Sequence, residues 1–212
     1  MKRLLKARGY GRPAALVVAF EGPGPLTREL RRRSMAIFKK HRAFDLGTGP
    51  GESWKESRYD VPYLRDLMME YGAIADSFET SAVWSKLMPL YESSTEALRR
   101  VIRDVTGFEG YIASHISHLY ETGACLYYTV CTRCREGSTP EEAIEQYSEI
   151  KRVATETFVS GGGALSHHHA VGYEHRPWIE RELSERGLAS LRQLKDALDP
   201  DGIMNPGGLL GA

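Results

Sequence analysis

Two strand-length segments, Gly110 to Ser117 and Ala124 to Cys131, follow one another with a turn signal at Glu121-Thr122-Gly123 between them. Strands joined this closely pair antiparallel, because a parallel pairing needs a crossover of about a dozen residues or more. The flanks are helical in pattern. Trp84 to Asp104 reads as a long amphipathic helix. Another opens at Pro140, where a first turn tolerates proline, and runs to about Val159 before Gly161-Gly162-Gly163 stops it. A further strand is expected near Ala73 to Ala82. A hairpin set among long helices points to an α+β fold: a mixed, largely antiparallel sheet covered by helices on one side.

The rest of the chain adds elements to this frame. Ala14 to Phe20 reads as a buried strand, ended by Gly22-Pro23-Gly24-Pro25. Thr27 is a candidate cap for a helix through about Lys40, with Leu30, Met35, Ile37 and Phe38 as its apolar positions. Ala43 to Leu46 suggests a short strand before the turn-like Gly47-Thr48-Gly49-Pro50-Gly51, and Pro62 to Tyr71 a helix. Arg176 to Ala197 is helical in pattern, ends at Asp199-Pro200-Asp201-Gly202, and leaves a Gly/Pro-rich tail. No short-period repeat or linker divides the chain.

Composition narrows the function. Lys plus Arg and Asp plus Glu are equal at 28 each among 212 residues, so there is no basic excess of the kind that binds nucleic acid. The longest apolar run, Ala14 to Phe20, is too short to cross a bilayer. The basic start, Met1 to Arg12, leads to no signal-peptidase site, and Leu209-Leu210-Gly211-Ala212 is no peroxisomal tripeptide. Three cysteines, Cys125, Cys131 and Cys134, argue against a disulfide framework and for a reducing, cytoplasmic setting. Cys131-Thr132-Arg133-Cys134 is a lone C-x-x-C without the second ligand pair a zinc site needs, so no metal is expected.

Three segments carry chemistry. Ser166-His167-His168-His169-Ala170-Val171-Gly172 sets three imidazoles in a row between a glycine run and a helix. Successive residues of an extended segment point to opposite faces, so the three cannot share one ligand, but imidazoles titrating near neutrality suit proton transfer. A plain surface tract is the alternative. Tyr127 and Tyr128 point to opposite faces of a strand, so one can pack the core while the other offers a phenol to a cleft. Arg65, beside Asp66, is either a surface ion pair or a fork for phosphate or carboxylate.

Taken together these segments resemble the C-terminal half of the alkyldihydroxyacetonephosphate synthase family, one of the vanillyl-alcohol-oxidase-like FAD enzymes. Trp54, Arg58 and Pro62-Tyr63-Leu64-Arg65-Asp66 resemble its arginine-bearing segment. Asp76-Ser77-Phe78-Glu79-Thr80-Ser81-Ala82-Val83-Trp84 resembles its S-F-E-T-S-x-x-W strand, and Tyr120 to Tyr128 its Y-D-A-G-A-C-x-Y segment. Ser166 to Gly172, with Asp199-Pro200 and Asn205-Pro206 beyond, resembles its S-H-H-H-G-V-G segment and tail. Ala170 stands where the family usually has glycine, and Glu121-Thr122 where it has aspartate-alanine.

The resemblance implies a ferredoxin-like cap domain of FAD-linked oxidases with a helical C-terminal tail, spanning residues 1–212. It implies exchange of the acyl group of acyl-dihydroxyacetone phosphate for a fatty alcohol. The flavin would work without net redox change, holding the substrate covalently. Arg65 falls on the substrate-binding arginine, Tyr127 on the acid/base tyrosine, and His167, His168 and His169 on the active-site histidines; Asn205 is a candidate contact to FAD. The family's flavin domain precedes this region with glycine-rich turns not seen before Ala14, so the isolated chain is expected to be inactive, colourless and a weak binder of FAD. The partners implied are a lipid-phosphate or hydroxy-acid substrate and a FAD-binding domain or subunit. A membrane surface and a second copy of the chain remain open as partners. An FAD-dependent 2-hydroxy-acid dehydrogenase cap, in which Arg65 holds a carboxylate, and a non-catalytic module derived from the cap are the alternatives. Arg65, Tyr127 and a histidine are expected to share one cleft, with the Arg65–Tyr127 pairing better formed than the histidine contact.

Overall fold

A computed structural model describes residues 6–11 and 14–211; part of the basic start, Met1 to Arg12, lies outside them. The chain divides into two compact units, residues 1–64 and 65–212. The dividing point falls inside a helix, Val61–Glu70.

Among its described residues the first unit holds two complete helices, α1 (Gly24–Lys40) and α2 (Gly49–Ser57), and the start of α3 (Val61–Glu70). Two expected strands are not there. Ala14 to Phe20 is irregular, with Leu16, Val17 and Val18 exposed, and Ala43 to Leu46 is irregular as well. Neither segment has a ladder partner among the described residues, and a strand without one leaves its backbone groups to water. Thr27 does not cap α1. The helix begins at Gly24, with proline in its first turn, and the Thr27 hydroxyl donates to Gly24 O at 3.1 Å from inside it. α2 starts within the stretch expected to be only a turn. Over it, the Arg58 guanidinium sits 5.3 Å from the Trp54 ring.

The second unit is a three-stranded sheet with a helical layer. Strands β1 (Ala73–Val83), β2 (Tyr111–Leu119) and β3 (Gly123–Arg133) lie in the order β1-β3-β2, and both pairings are antiparallel. The hairpin β2–β3 turns at Tyr120 to Thr122, as the sequence predicts. Gly123 is required there: a Cβ would lie 2.1 Å from Ala82 O across the β1 ladder. Helices α4 (Trp84–Thr106) and α5 (Pro140–Ser160) pack on the sheet and on each other. α5 opens with a capping box, Thr139 Oγ1 accepting from Glu142 N while the Glu142 carboxylate accepts from Thr139 N.

Alternation along the strands divides their side chains cleanly. Phe78, Thr80 and Ala82 of β1 and Ala124, Leu126, Tyr128 and Val130 of β3 share the face under the helices. There they join Leu87, Leu90, Leu98, Ile102, Ile150, Ala154 and Phe158 in one core. Tyr128 is fully buried, and its hydroxyl meets Ser94 Oγ at 2.7 Å. The odd-numbered residues Ser77, Glu79, Cys125 and Tyr127 face the other way. In β2 a register shift at Ser117, between Ile116 and His118, inserts one extra residue, so His115 opposes Tyr127 and His118 opposes Cys125.

Helix α6 (Ile179–Leu198), preceded by a short 3₁₀ turn at Arg176–Trp178, supplies the helical tail and kinks at Ser184, whose φ is 62°. With Leu165, its residues Ile179 and Leu188 form a second small core. No helix among the described residues is long and apolar enough to cross a membrane.

Candidate functional site

The histidine tract crosses the face of the sheet opposite the helices. Its entry is fixed by Gly163. Ala164 N donates to Ser81 O at 2.8 Å, Thr80 Oγ1 donates to Ala164 O at 2.8 Å, and Leu165 N donates to Glu182 at 3.0 Å. The tract then wraps around one carboxylate. Glu79 Oε1 accepts the backbone N–H groups of His167 at 2.9 Å, of His169 at 2.7 Å, and of His168 between them. Its Oε2 meets His168 Nδ1 and lies 3.8 Å from Cys125 Sγ. Burial pushes the Glu79 carboxyl upward, but the three N–H groups outweigh it and hold the group below its usual range. Glu79 is thus an anion folded into the site.

Around it the rings collect. His167 Nδ1 lies 3.0 Å from His168 Nδ1, and His167 Nε2 lies 2.7 Å from the Tyr120 hydroxyl. The His118 ring stands 4.8 Å from His167 and 5.2 Å from His168, centroid to centroid. Tyr127 lies 5.8 Å from His168, 5.2 Å from His169 and 5.0 Å from His115, and its hydroxyl donates to Ser77 Oγ at 2.9 Å. Cys125 is buried beneath, and burial raises its thiol. Ligand atoms of His118, Cys125, His167 and His168 all lie within 4.8 Å of one another, as do those of Glu79, His168 and His169, so these are the residues that could hold a metal ion. The C-x-x-C plays no part in either group; Cys131 and Cys134 are free thiols elsewhere on β3 and after it.

Beside this cluster, at the free edge of β1, an open cleft of about 400 Å³ is lined by Arg65, Ser77, Lys151, His169, Glu174 and His175, among others. Arg65 Nε donates to Ala75 O at 3.0 Å, while its Nη1 is 3.9 Å from Asp66, so most of a half-exposed guanidinium fork faces the cleft. Lys151 is buried and lies 3.2 Å from both Asp76 and Glu174. Tyr147 donates to the same two carboxylates at 3.0 and 2.8 Å; burial and these charges push its phenol far up, so it stays a donor. His175 Nδ1 donates to Ala170 O at 3.0 Å, and its burial lowers its affinity for a second proton.

Arg65 and His169 therefore line one cleft, and Tyr127 reaches it through Ser77. The expected ranking of contacts is reversed. Tyr127 meets the histidine rings directly and has no direct hydrogen bond to Arg65, because Arg65 lies at the β1 edge and Tyr127 on the central strand. Asn205 lies in a turn of the tail, at φ 46°, and does not line the cleft. Sequence reasoning missed Glu79 as the centre of the histidine tract, His115 and His118 on β2, and the Asp76–Tyr147–Lys151–Glu174 cluster. The signal that marked Glu79 was an acidic residue set directly between Phe78 and Thr80, in the buried middle of β1.

Comparison with known proteins gives the family. Residues 4–209 match the family described as FAD linked oxidases, C-terminal domain. An alkyldihydroxyacetonephosphate synthase of Dictyostelium discoideum is 36% identical over 194 residues, 92% of this chain and 31% of the relative. That of Trypanosoma brucei brucei is 35% identical over 206 residues, 97% of this chain and 33% of the relative. Glycolate oxidase subunit GlcD of Bacillus subtilis (strain 168) is 33% identical over 194 residues, 92% of this chain and 38% of the relative. A solved structure of alkyldihydroxyacetonephosphate synthase superposes with a TM-score of 0.65 at 32% identity, over 88% of this chain and 30% of that one. The chain spans about a third of the length of the synthases it matches.

Proposed function

Because the chain belongs to the FAD-linked oxidases, whose C-terminal domain it matches, we propose that it is the substrate-covering part of a flavoenzyme that exchanges the acyl group of acyl-dihydroxyacetone phosphate for a fatty alcohol. What supports this is the convergence of Arg65, Ser77 and His169 on one cleft, with Tyr127 bonded to Ser77 at its side. A phosphate needs a fork of donors, and Arg65 has one to spare. Bond exchange at carbon needs a proton moved off and back, and an alcohol deprotonated as it attacks; a phenol and an imidazole suit these tasks.

In this reading Arg65 holds the phosphate, Tyr127 moves the proton at the reacting carbon, and a histidine of the tract takes the proton of the incoming alcohol. The acyloxy group leaves as a carboxylate and the alcohol oxygen takes its place, without net oxidation. The residues fit a flavin partner in one respect: the polar rings and the Arg65 fork lie on and beside the sheet face that the helices leave uncovered. FAD, held mainly by a flavin-binding domain or a separate subunit, would supply an electrophile for the substrate carbon. The isolated chain is accordingly inactive and colourless.

The glycolate oxidase relative favours a second reading, in which Arg65 holds the carboxylate of a 2-hydroxy acid and the flavin accepts two electrons. One assay separates the two. The complete protein containing this chain, with acyl-dihydroxyacetone phosphate and a fatty alcohol, should release fatty acid and form the ether without consuming an electron acceptor. Acceptor reduction by a 2-hydroxy acid, with no ether formed, would replace the first reading by the second.

A further inference from the structure

We propose that Glu79 is a positioning residue that fixes which ring nitrogen of His168 carries the proton, leaving His168 Nε2 as the proton-accepting atom of the site. The inference deepens the reading of this face as catalytic and rests on it for its meaning, though its test does not depend on turnover.

Glu79 Oε1 is saturated by the N–H groups of His167, His168 and His169, so only Oε2 is free to meet a ring. That oxygen lies against His168 Nδ1. Its anionic charge, favoured by the three N–H groups, makes it an acceptor only, so the nitrogen facing it must be Nδ1–H. That single proton goes to Glu79, and His167 Nδ1 stands 3.0 Å to the side of it. One carboxylate thereby sets the tautomer of His168. The Glu79 side chain is 1% exposed and that of His168 is 42% exposed. Since Nδ1 is the atom turned to the buried acid, the exposed side of the ring is the side that carries Nε2.

Glu79→Gln tests this without emptying the space. Its carbonyl must stay on the three backbone N–H groups, so its NH₂ replaces Oε2 and turns a donor toward His168 Nδ1. The ring must answer with a lone pair there, and its proton must move to Nε2. The measurement is the ring ¹⁵N spectrum of the 212-residue chain at about pH 8.5, some two units above the ordinary imidazole range. In the unmutated chain His168 should favour Nδ1–H by roughly tenfold or more, the scale of a hydrogen bond to a charged acceptor. In Glu79→Gln that preference should invert, while His115, which makes no contact with Glu79, keeps its own. A wild-type His168 that is mainly Nε2–H overturns the proposal even if the variant does not fold. So does a variant spectrum with the Nδ1–H preference intact. Stoichiometric zinc in the purified chain would overturn it too, since a metal on His168 Nδ1 takes the position assigned to the proton.

Discussion

Gly163 is a tight passage on the way to the histidines, and replacing it with alanine should show how tightly the tract is tied to the core. A Cβ there would lie 2.4 Å from Thr80 Oγ1, 2.8 Å from Leu90 Cδ2 and 3.1 Å from Phe158 O. Thr80 and Leu90 are buried to within 1% and cannot swing into solvent. Overpacking a tight core costs about 1–3 kcal/mol. The displaced Thr80 hydroxyl also gives up its bond to Ala164 O, and a buried polar atom left unpaired costs about 1–3 kcal/mol more. Gly163→Ala should therefore destabilise by about 3 kcal/mol, lowering the melting temperature by roughly 6–12 °C in a unit of this size. The urea midpoint, followed by far-ultraviolet circular dichroism, should fall without a change in slope. Thr80→Ala removes the oxygen that the new Cβ strikes. The double variant should be more stable than the sum of the singles by about 1 kcal/mol or more, the residue of the clash being Leu90. A single-variant cost below about 1 kcal/mol, or strict additivity in the pair, would refute this reasoning.

Three other outcomes are expected. Ala170 sits at φ 65°, a left-handed conformation that costs a non-glycine residue about 1–2 kcal/mol. After the entropy of a more flexible unfolded chain, Ala170→Gly should raise stability by about 0.5–1 kcal/mol, and a lower urea midpoint would contradict that. Adjacent tyrosines should respond oppositely. Tyr127→Phe in the complete enzyme should cut turnover at least about 100-fold with flavin retained, whereas Tyr128→Phe should cost about 1 kcal/mol of stability by freeing Ser94; equal effects on turnover would undo the assignment of faces. The Glu79 carboxyl is held below its usual range in the folded chain, so its contribution is complete above the unfolded value of about 4.3 and is lost as pH falls through the lower folded value. Midpoints measured from pH 7 down to 3 should decline below that point in the wild type and less steeply in Glu79→Gln.

The parts of this molecule that were legible in its sequence are those whose signal is local and periodic. The α4 pattern, the Pro140 start of α5 and the alternation of Tyr127 with Tyr128 each follow from spacing alone, and each is found. Ala14 to Phe20 has strand composition, but a strand exists only through a partner, and composition does not name one. The site was legible where side chains stand in sequence runs, as at His167 to His169. It was illegible where distant residues meet. Glu79 organises a tract 88 residues away through the backbone N–H groups, which every non-proline residue has and no motif records. His115 and His118 are three apart, a spacing that strict alternation assigns to opposite faces.

That last pair carries a consequence for how the strand can vary. Only the extra residue at Ser117 returns His118 to the side of His115. Deleting Ser117 would leave His118 two positions after His115, on the same face and still opposite Cys125, so the ladder would straighten without turning any later side chain over. A second deletion in the same stretch would be a different event, sending His118 under the helices and bringing Leu119 out among the imidazoles. The bulge is thus the one place in this strand where a lineage can lose a residue and keep the Tyr120 phenol within reach of His167 with no compensating change.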